Sequence, residues 1–456
     1  MRFYNREDEI KLIRQTEERS LSSACFTAIM GRRRVGKTTL LRKALEGKKY
    51  IYLFVSRTNE ALLCDAFKKE ITEKLSIPIY GTPMRFRELF EMLMQHASRE
   101  HFTLIIDEFQ DFDRVNPSVF SDIQNIWDQY APQAKINFIV CGSIYSLMKQ
   151  IFENHKEPLF GRLTSKFVLK PFKTSVLIEI LREYNPAFTP DDLLCLYTLT
   201  GGVAKYVTLL IDAGAVGRDA MIDFVTQPDS PLLTEGRDML IQEFGRDYST
   251  YFSILQLIAS GYTRQSEIDS VIEKNSGPYL KNLCEDYSLI QKRLPLLSKP
   301  GARNLRWYIT DNFLNFWFHF IYPHQSAIEL EKYAQLNAYI KSHYVQYSGG
   351  ILEKYFRERI AETTDVTLVG NYWDSKGENE IDLIALNDFE KNGIVAEVKR
   401  NPNKISYTLL SQKTANLPKE FSKYDLVQKG LSLEDMERTD FTGENKQISS
   451  ETKGTD

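Results

Sequence analysis

Residues 31–39, GRRRVGKTT, lie between the apolar run Cys25–Met30 and a helical pattern, TLLRKALEG, that starts at Thr39. Strand, glycine-rich loop, helix is the context in which Gly-x4-Gly-Lys-Thr marks a nucleotide phosphate site. Gly31 and Gly36 permit the tight backbone path that turns the amides of Arg32, Arg33, Arg34 and Val35 toward the phosphates. The helix N-terminus adds its partial positive charge. On this reading Lys37 reaches the β- and γ-phosphates, Thr38 ligates Mg²⁺, and Thr39 completes the binding stretch. The expected cofactors are therefore ATP and Mg²⁺.

A loop of this kind needs a parallel sheet behind it, and the chain supplies one. The runs Cys25–Met30, Tyr50–Val55, Phe102–Ile106, Ile136–Cys141 and Phe167–Leu169 are continuously apolar rather than alternating. Such strands suit a parallel sheet covered by helices on both faces. Helical patterns fall between them, at residues 60–74, 85–99 and 117–130. The fold class is α/β, and residues 1–215 form a P-loop NTPase domain with a helical sub-domain. At 456 residues the chain exceeds one compact core, so further domains follow.

The run Thr103–Ile106 ends in Asp107 and Glu108, where a buried strand meets the ligand edge of an open sheet. Asp107 is expected to hold Mg²⁺ through its water shell and Glu108 to polarise the attacking water. Ser143 ends the next apolar run. It either senses the γ-phosphate and orients water or caps the following helix. Arg162, in the loop before the last strand, is either an arginine finger for a neighbouring subunit's nucleotide or a solvated loop residue. Lys205, in GGVAKY, either reaches the nucleotide or lies on the surface.

Taken in order, FYNRE, GRRRVGKTT, LIIDE, VCGS, LFGR and TGGVAKY resemble the archaea-type ATPases. These are a branch of the AAA-like, additional-strand P-loop proteins related to origin-recognition and signal-transducing NTPases. The resemblance covers the first domain and implies that residues 3–7 lie near the adenine and that Ser143 is the first sensor. Ala204 stands where relatives often have proline, which weakens the expected adenine-side contact there.

Residues 216–240 read as a linker. Three short helical patterns and two strand-like runs over 241–320 follow the order of a winged helix. The segment between the strands carries Lys292, Arg293, Lys299, Arg303 and Arg306 without an acid. That stripe either contacts DNA phosphates or packs against protein. Residues 321–345 read as a helical connector. FLNFWFHFIY at 313–322 is too short to cross a membrane and reads as a buried helix.

The unit at 346–430 carries a second constellation. Asp382, Glu397 and Lys399 lie on two strands joined by the loop NDFEKN, and an odd pairing sum places all three on one face. Two carboxylates can hold Mg²⁺, and a neighbouring lysine can position water for phosphodiester cleavage. The pattern resembles the PD-(D/E)XK nuclease superfamily, with Ile381 in place of the motif's proline. The resemblance implies an α/β restriction-endonuclease-like domain in which Glu353 is the further acid. Asp382, Glu397 and Glu353 then form the metal set, and Gln412 or Lys413 adds a phosphate contact. The same module often follows an archaea-type ATPase domain, so the resemblance extends over nearly the whole chain.

Residues 431–456 are expected to be a disordered tail. The net charge of −3 excludes a globally basic nucleic-acid binder and confines any DNA contact to local patches. Five scattered cysteines point to a reducing cytosol, and no apolar stretch or leader pattern suggests a membrane. The reading as a whole is a cytoplasmic, Mg²⁺-dependent ATPase coupled through a winged helix to a nuclease-like domain. It has ATP or ADP and DNA as partners, and a homo-oligomer remains open. The competing reading is a nucleotide-switched scaffold whose last domain is catalytically silent.

Overall fold

The computed structural model describes residues 1–441, apart from 82, 144, 245–247, 300 and 303. Arg303 and the tail beyond 441 lie outside the described residues. The first sheet contains β1 (Cys25–Met30), β2 (Tyr50–Phe54), β3 (Phe102–Asp107), β4 (Ile136–Gly142) and β5 (Ser165–Val168). Its order is β2-β3-β4-β1-β5, and every neighbouring pair is parallel. The central strands β1, β3 and β4 are buried at every position, which is why they read as unbroken apolar runs. The edge strands β2 and β5 alternate, because only one face of each is covered.

Because β4 lies between β1 and β3, the loops leaving the C-terminal ends of all three meet at one edge. Crevices at that edge are where open α/β sheets bind ligands. The amide of Gly31 donates to the carbonyl of Gly142 at 3.2 Å, tying the phosphate loop to the end of β4.

The segment 216–240 is not a linker. It holds the helix Arg218–Thr226 and most of the helix Pro231–Phe244, with Met221, Ile222, Val225, Leu232 and Leu233 buried. Those apolar residues recur at helical spacing, and the intervening charges obscure the pattern. Three helices follow, at Tyr248–Ala259, Gln265–Ile272 and Gly277–Glu285. They lead into an antiparallel ribbon of β6 (Ile290–Arg293) and β7 (Arg306–Ile309), completing the winged-helix order.

The expected boundary at 345/346 falls inside one continuous helix, Tyr333–Thr363. The C-terminal sheet comprises β8 (Leu368–Trp373), β9 (Glu380–Asn387), β10 (Asn392–Val398) and β11 (Asp425–Leu431), in the order β11-β10-β9-β8. The first described part of the expected tail is ordered. Leu431, Met436 and Phe441 are buried, and the Tyr355 hydroxyl donates to the Met436 carbonyl at 2.7 Å. Single apolar residues separated by charges have no period, yet all three join the apolar core that Tyr355 and Phe356 of the long helix also enter.

One apolar cluster runs from Leu177 and Tyr206 through Phe252 and Trp317 to Tyr355 and Ile394. The helical sub-domain, the winged helix and the C-terminal unit therefore share a core. A second cluster fills one side of the first sheet around Phe26, Phe90 and Phe138.

Candidate functional site

The phosphate loop folds as its glycines require. Gly36 has φ +100°, a left-handed conformation that glycine adopts without steric cost. A Cβ at Gly31 would stand 2.7 Å from the Leu169 carbonyl oxygen. Lys37 and Thr38 open the helix Lys37–Ala44, whose N-terminus carries no side-chain cap. Its amides, with those of the loop, form the cradle an anionic phosphate needs. The Lys37 ammonium donates to the carbonyls of Gly31 at 2.7 Å and Arg32 at 3.2 Å.

Across the crevice, the Thr38 hydroxyl stands 3.4 Å from Asp107 Oδ2, which also accepts from the Tyr52 hydroxyl. Thr38 and Asp107 are the hard oxygen pair that suits Mg²⁺. Glu108 follows with φ 52°, and its amide donates to Asp107 Oδ1 at 2.9 Å. Ser143 Oγ and Gln110 Nε2 each donate to Glu108 Oε2 at 2.6 Å. Burial opposes ionisation of Glu108. Those two donors, with the charges of Lys37 and Arg33, nonetheless hold the carboxyl below its usual range.

A cavity of about 660 Å³ joins Lys37, Thr38, Asp107 and Glu108 to Phe3, Tyr4, Arg6, Phe172, Ala204, Lys205 and Leu209. The N-terminal segment thus walls the cavity on the side where the resemblance places the adenine. Burial and then Arg34 lower the Lys205 ammonium, and the Lys205 amide donates to the Arg34 carbonyl at 3.2 Å. The three loop arginines diverge. Arg33 faces Glu108 at 3.8 Å, Arg34 pairs with Glu235, and Arg32 pairs with Asp311 at 2.5 Å.

Arg162 is not brought to this cavity. Its guanidinium meets Asp128 at 2.9 and 2.7 Å and the Pro158 carbonyl at 2.7 Å. Within this chain it is a tethered loop arginine, and a role on a neighbour's nucleotide would first require those bonds to open. Tyr52, Gln110 and Phe172 were not singled out in the sequence. No motif marks them, because they reach the site from other strands and loops.

In the C-terminal unit, β9 and β10 pair antiparallel with Leu383 opposite Ala396. Carrying that register one step sets Asp382 opposite Glu397, the odd sum that places both on one face with Lys399. Lys399 Nζ lies 2.9 Å from Asp382 Oδ2 and 3.5 Å from Glu397 Oε1. The Val398 amide donates to Asp382 and the Ser406 amide to Glu397, both at 2.9 Å. Burial, followed by the Asp382 charge, pushes Glu353 up to about 7. Arg357 is 3.8 Å from Glu353 on the same helix.

The three acids expected to bind metal gather around the Lys399 ammonium. Among the described residues, no group of three or more His, Cys, Asp or Glu forms a cluster able to hold a metal ion. The lysine is the counter-ion, so Glu353, Asp382 and Glu397 do not form a ready metal seat. Gln412 and Lys413 lie on the neighbouring helix Tyr407–Ala415, where the Lys413 carbonyl accepts from Asn379 at 3.2 Å.

Two of the four described cations of the wing's basic stripe turn inward. Arg306 bonds Glu380 at 2.8 and 3.2 Å and stacks over Trp373 at 4.5 Å. Arg293 stacks over Tyr308 at 4.4 Å, and burial lowers it to about 10. The Leu296 amide donates to the Asn371 carbonyl at 2.9 Å, fastening the wing to β8. Lys292 and Lys299 remain exposed.

The chain is similar to several known proteins. A family described as an ATPase domain predominantly from Archaea matches residues 3–210. A second, described as archaeal and bacterial proteins of unknown function, matches residues 317–414. An uncharacterised protein of Methanocaldococcus jannaschii is 32% identical over 409 residues, covering 87% of each chain. The fold is similar to that of a Walker-type ATPase of Pyrococcus abyssi, with TM-score 0.52 and 20% identity over 69% of this chain and 96% of that one. The ORC2 protein of Aeropyrum pernix aligns with TM-score 0.47 and 15% identity, over 75% of this chain and 96% of that one.

The class defined by this fold and site is the P-loop ATPases of the AAA-like kind. The chain belongs to the archaea-type ATPases, with the ATPase domain at 3–210 followed by the domain of unknown function at 317–414. Among the described residues, no helix is long and apolar enough to cross a membrane.

Proposed function

We propose that the protein binds and hydrolyses ATP with Mg²⁺ and uses the nucleotide state to control its C-terminal acid–lysine face, which acts on DNA. The observation that carries the first part is the convergence of Lys37, Thr38, Asp107 and Glu108 on one cavity, with Ser143 bonded to Glu108. Lys37 offsets phosphate charge, and Thr38 and Asp107 are the groups that hold Mg²⁺. When bound, the ion neutralises charge building between the β- and γ-phosphates. Glu108, kept ionised by Ser143 and Gln110, is the acceptor that orients a water for attack. The units follow as an ATPase domain at 1–215, a winged helix around 241–320 and a nuclease-like unit from about 346.

In the C-terminal unit, Asp382 and Glu397 hold the half-buried Lys399, whose ammonium is the part of the group that can meet a phosphodiester. A second reading is favoured by the two inward-turned arginines of the wing and by the lysine seated between the acids. In it, this unit binds nucleic acid or protein and cuts nothing.

One assay separates them. Lys37→Ala is expected to reduce ATP turnover by about 10²-fold or more, since it removes a preorganised phosphate clamp. Asp382→Ala and Lys399→Ala are expected to abolish any DNA cleavage while sparing ATP turnover. Wild-type chain that retains DNA in a nucleotide-dependent way, without strand breaks, establishes the silent-module reading instead.

A further inference from the structure

The Arg32 side chain runs away from the nucleotide and into another unit of the fold. Its partner Asp311 belongs to the segment just after β7 and is 4% exposed. A buried carboxylate is expensive unless both oxygens are engaged. Asp311 Oδ1 accepts the Leu314 amide at 2.9 Å, capping the helix Asn312–Phe316, and Oδ2 takes Arg32. The neighbouring Asn312 donates to the Tyr197 carbonyl at 2.9 Å.

From this capped turn a second cation leads onward. Lys354 Nζ donates to the Thr310 carbonyl at 2.7 Å and to Asn312 Oδ1 at 2.6 Å. Lys354 is adjacent to Glu353 on the helix Tyr333–Thr363. One turn on, Arg357 donates to the Asp382 carbonyl at 3.4 Å. Polar contacts, linked through the backbone at 310–312 and along the helix from 354 to 357, therefore join the phosphate loop to the strand that carries Asp382.

The loop end of this chain responds to phosphate. In the structure the Lys37 ammonium grips the Arg32 carbonyl, and a bound β- or γ-phosphate competes for that ammonium. The residue whose backbone is then released is the one whose side chain holds Asp311.

We propose that Asp311 is a positioning residue of the phosphate loop, supplied from outside the ATPase domain, and that nucleotide occupancy passes through Arg32, Asp311 and Lys354 to the C-terminal acid–lysine group. The proposal rests on the reading of the loop as a nucleotide site. Allosteric coupling of this kind is reciprocal, so the C-terminal side also tunes nucleotide affinity.

The test uses the full chain, ADP and ATP with Mg²⁺, nucleotide titrations, and amide hydrogen exchange over residues 310–316 and 348–362. In the wild type, nucleotide is expected to change exchange in both segments. Lys354→Met should leave nucleotide affinity within about twofold and erase the response at 348–362 alone. Arg32→Gln and Asp311→Asn should erase both responses. Their double-mutant cycle for nucleotide affinity should depart from additivity by about fivefold or more.

Nucleotide binding with no exchange response in the wild type overturns the proposal and leaves the nucleotide site standing. An additive cycle, or a Lys354→Met chain that responds like wild type, also overturns it. Failure of the wild type to bind nucleotide instead defeats the functional reading on which it rests. Should Asp311→Asn not fold, Arg32→Gln carries the same readout, because that side chain is 31% exposed and caps no helix.

Discussion

At the scale of single residues, the site turns on how Glu108 is kept charged. Its carboxyl is buried, yet Ser143 and Gln110 both donate to the same oxygen and Lys37 and Arg33 stand near. Removing a donor to the charged form raises a carboxyl's pKa. Ser143→Ala is therefore expected to move the acid limb of the kcat–pH profile to higher pH, because activity needs the ionised form. Ser143→Thr, which keeps the hydroxyl, should leave the limb in place. A limb that stays put in Ser143→Ala would mean that Glu108 is not the group titrating in turnover. The sequence pointed to Ser143 by its position at a strand end, but not to its partner. The alternatives, a phosphate sensor or a helix cap, were local readings of a contact that runs from the end of β4 to the end of β3.

At the scale of elements, the wing shows how far composition misleads. Lysine and arginine without acids between residues 291 and 307 look like a phosphate-binding stripe. In the fold, Arg306 is spent on Glu380 and Trp373, and Arg293 on Tyr308. Glu380 is 43% exposed, so its ion pair is worth only about 0–1 kcal/mol, and stacking on Trp373 adds about 0.5–2 kcal/mol. Arg306→Ala is thus expected to lower unfolding stability by about 1–2 kcal/mol in denaturant titrations. Lys292→Ala should stay within about 0.5 kcal/mol. In salt-dependent DNA binding the order reverses, and only Lys292→Ala should reduce the slope, by about 1. Equal slopes lost in both variants would show that the wing lets go of β8 to bind DNA. The hairpin of β9 and β10 was far more legible. Its short loop implies the antiparallel pairing, whereas the register, which a one-residue slip would change, came from the fold, with Leu383 opposite Ala396.

At the scale of the whole molecule, the shared core sets the expectation for unfolding. Residues from Leu177 to Ile394 belong to one apolar cluster, so the helical sub-domain, winged helix and C-terminal unit should unfold together. A ligand that binds only the native state stabilises it by about 2.7 kcal/mol at a hundredfold excess over Kd. With ADP and Mg²⁺, calorimetry should show that shared transition moving upward in the wild type and not in Lys37→Ala. A C-terminal transition that separates and ignores nucleotide would show that the core does not couple the units. The sequence alone determined what depends on neighbours along the chain. That covers the buried strands of a parallel sheet, the glycine-rich turn before a helix and the acidic strand end. It could not decide what depends on partners brought together from distant segments. The tertiary structure decided that residues 216–240 are helices of the core, that Arg162 is tethered to Asp128, and that Lys399 sits among the expected metal ligands. It also decided that Arg32 leaves the nucleotide for Asp311. The physical reason is common to all four: a charged or apolar side chain takes its role from whatever desolvates or neutralises it, and those groups lie on other elements.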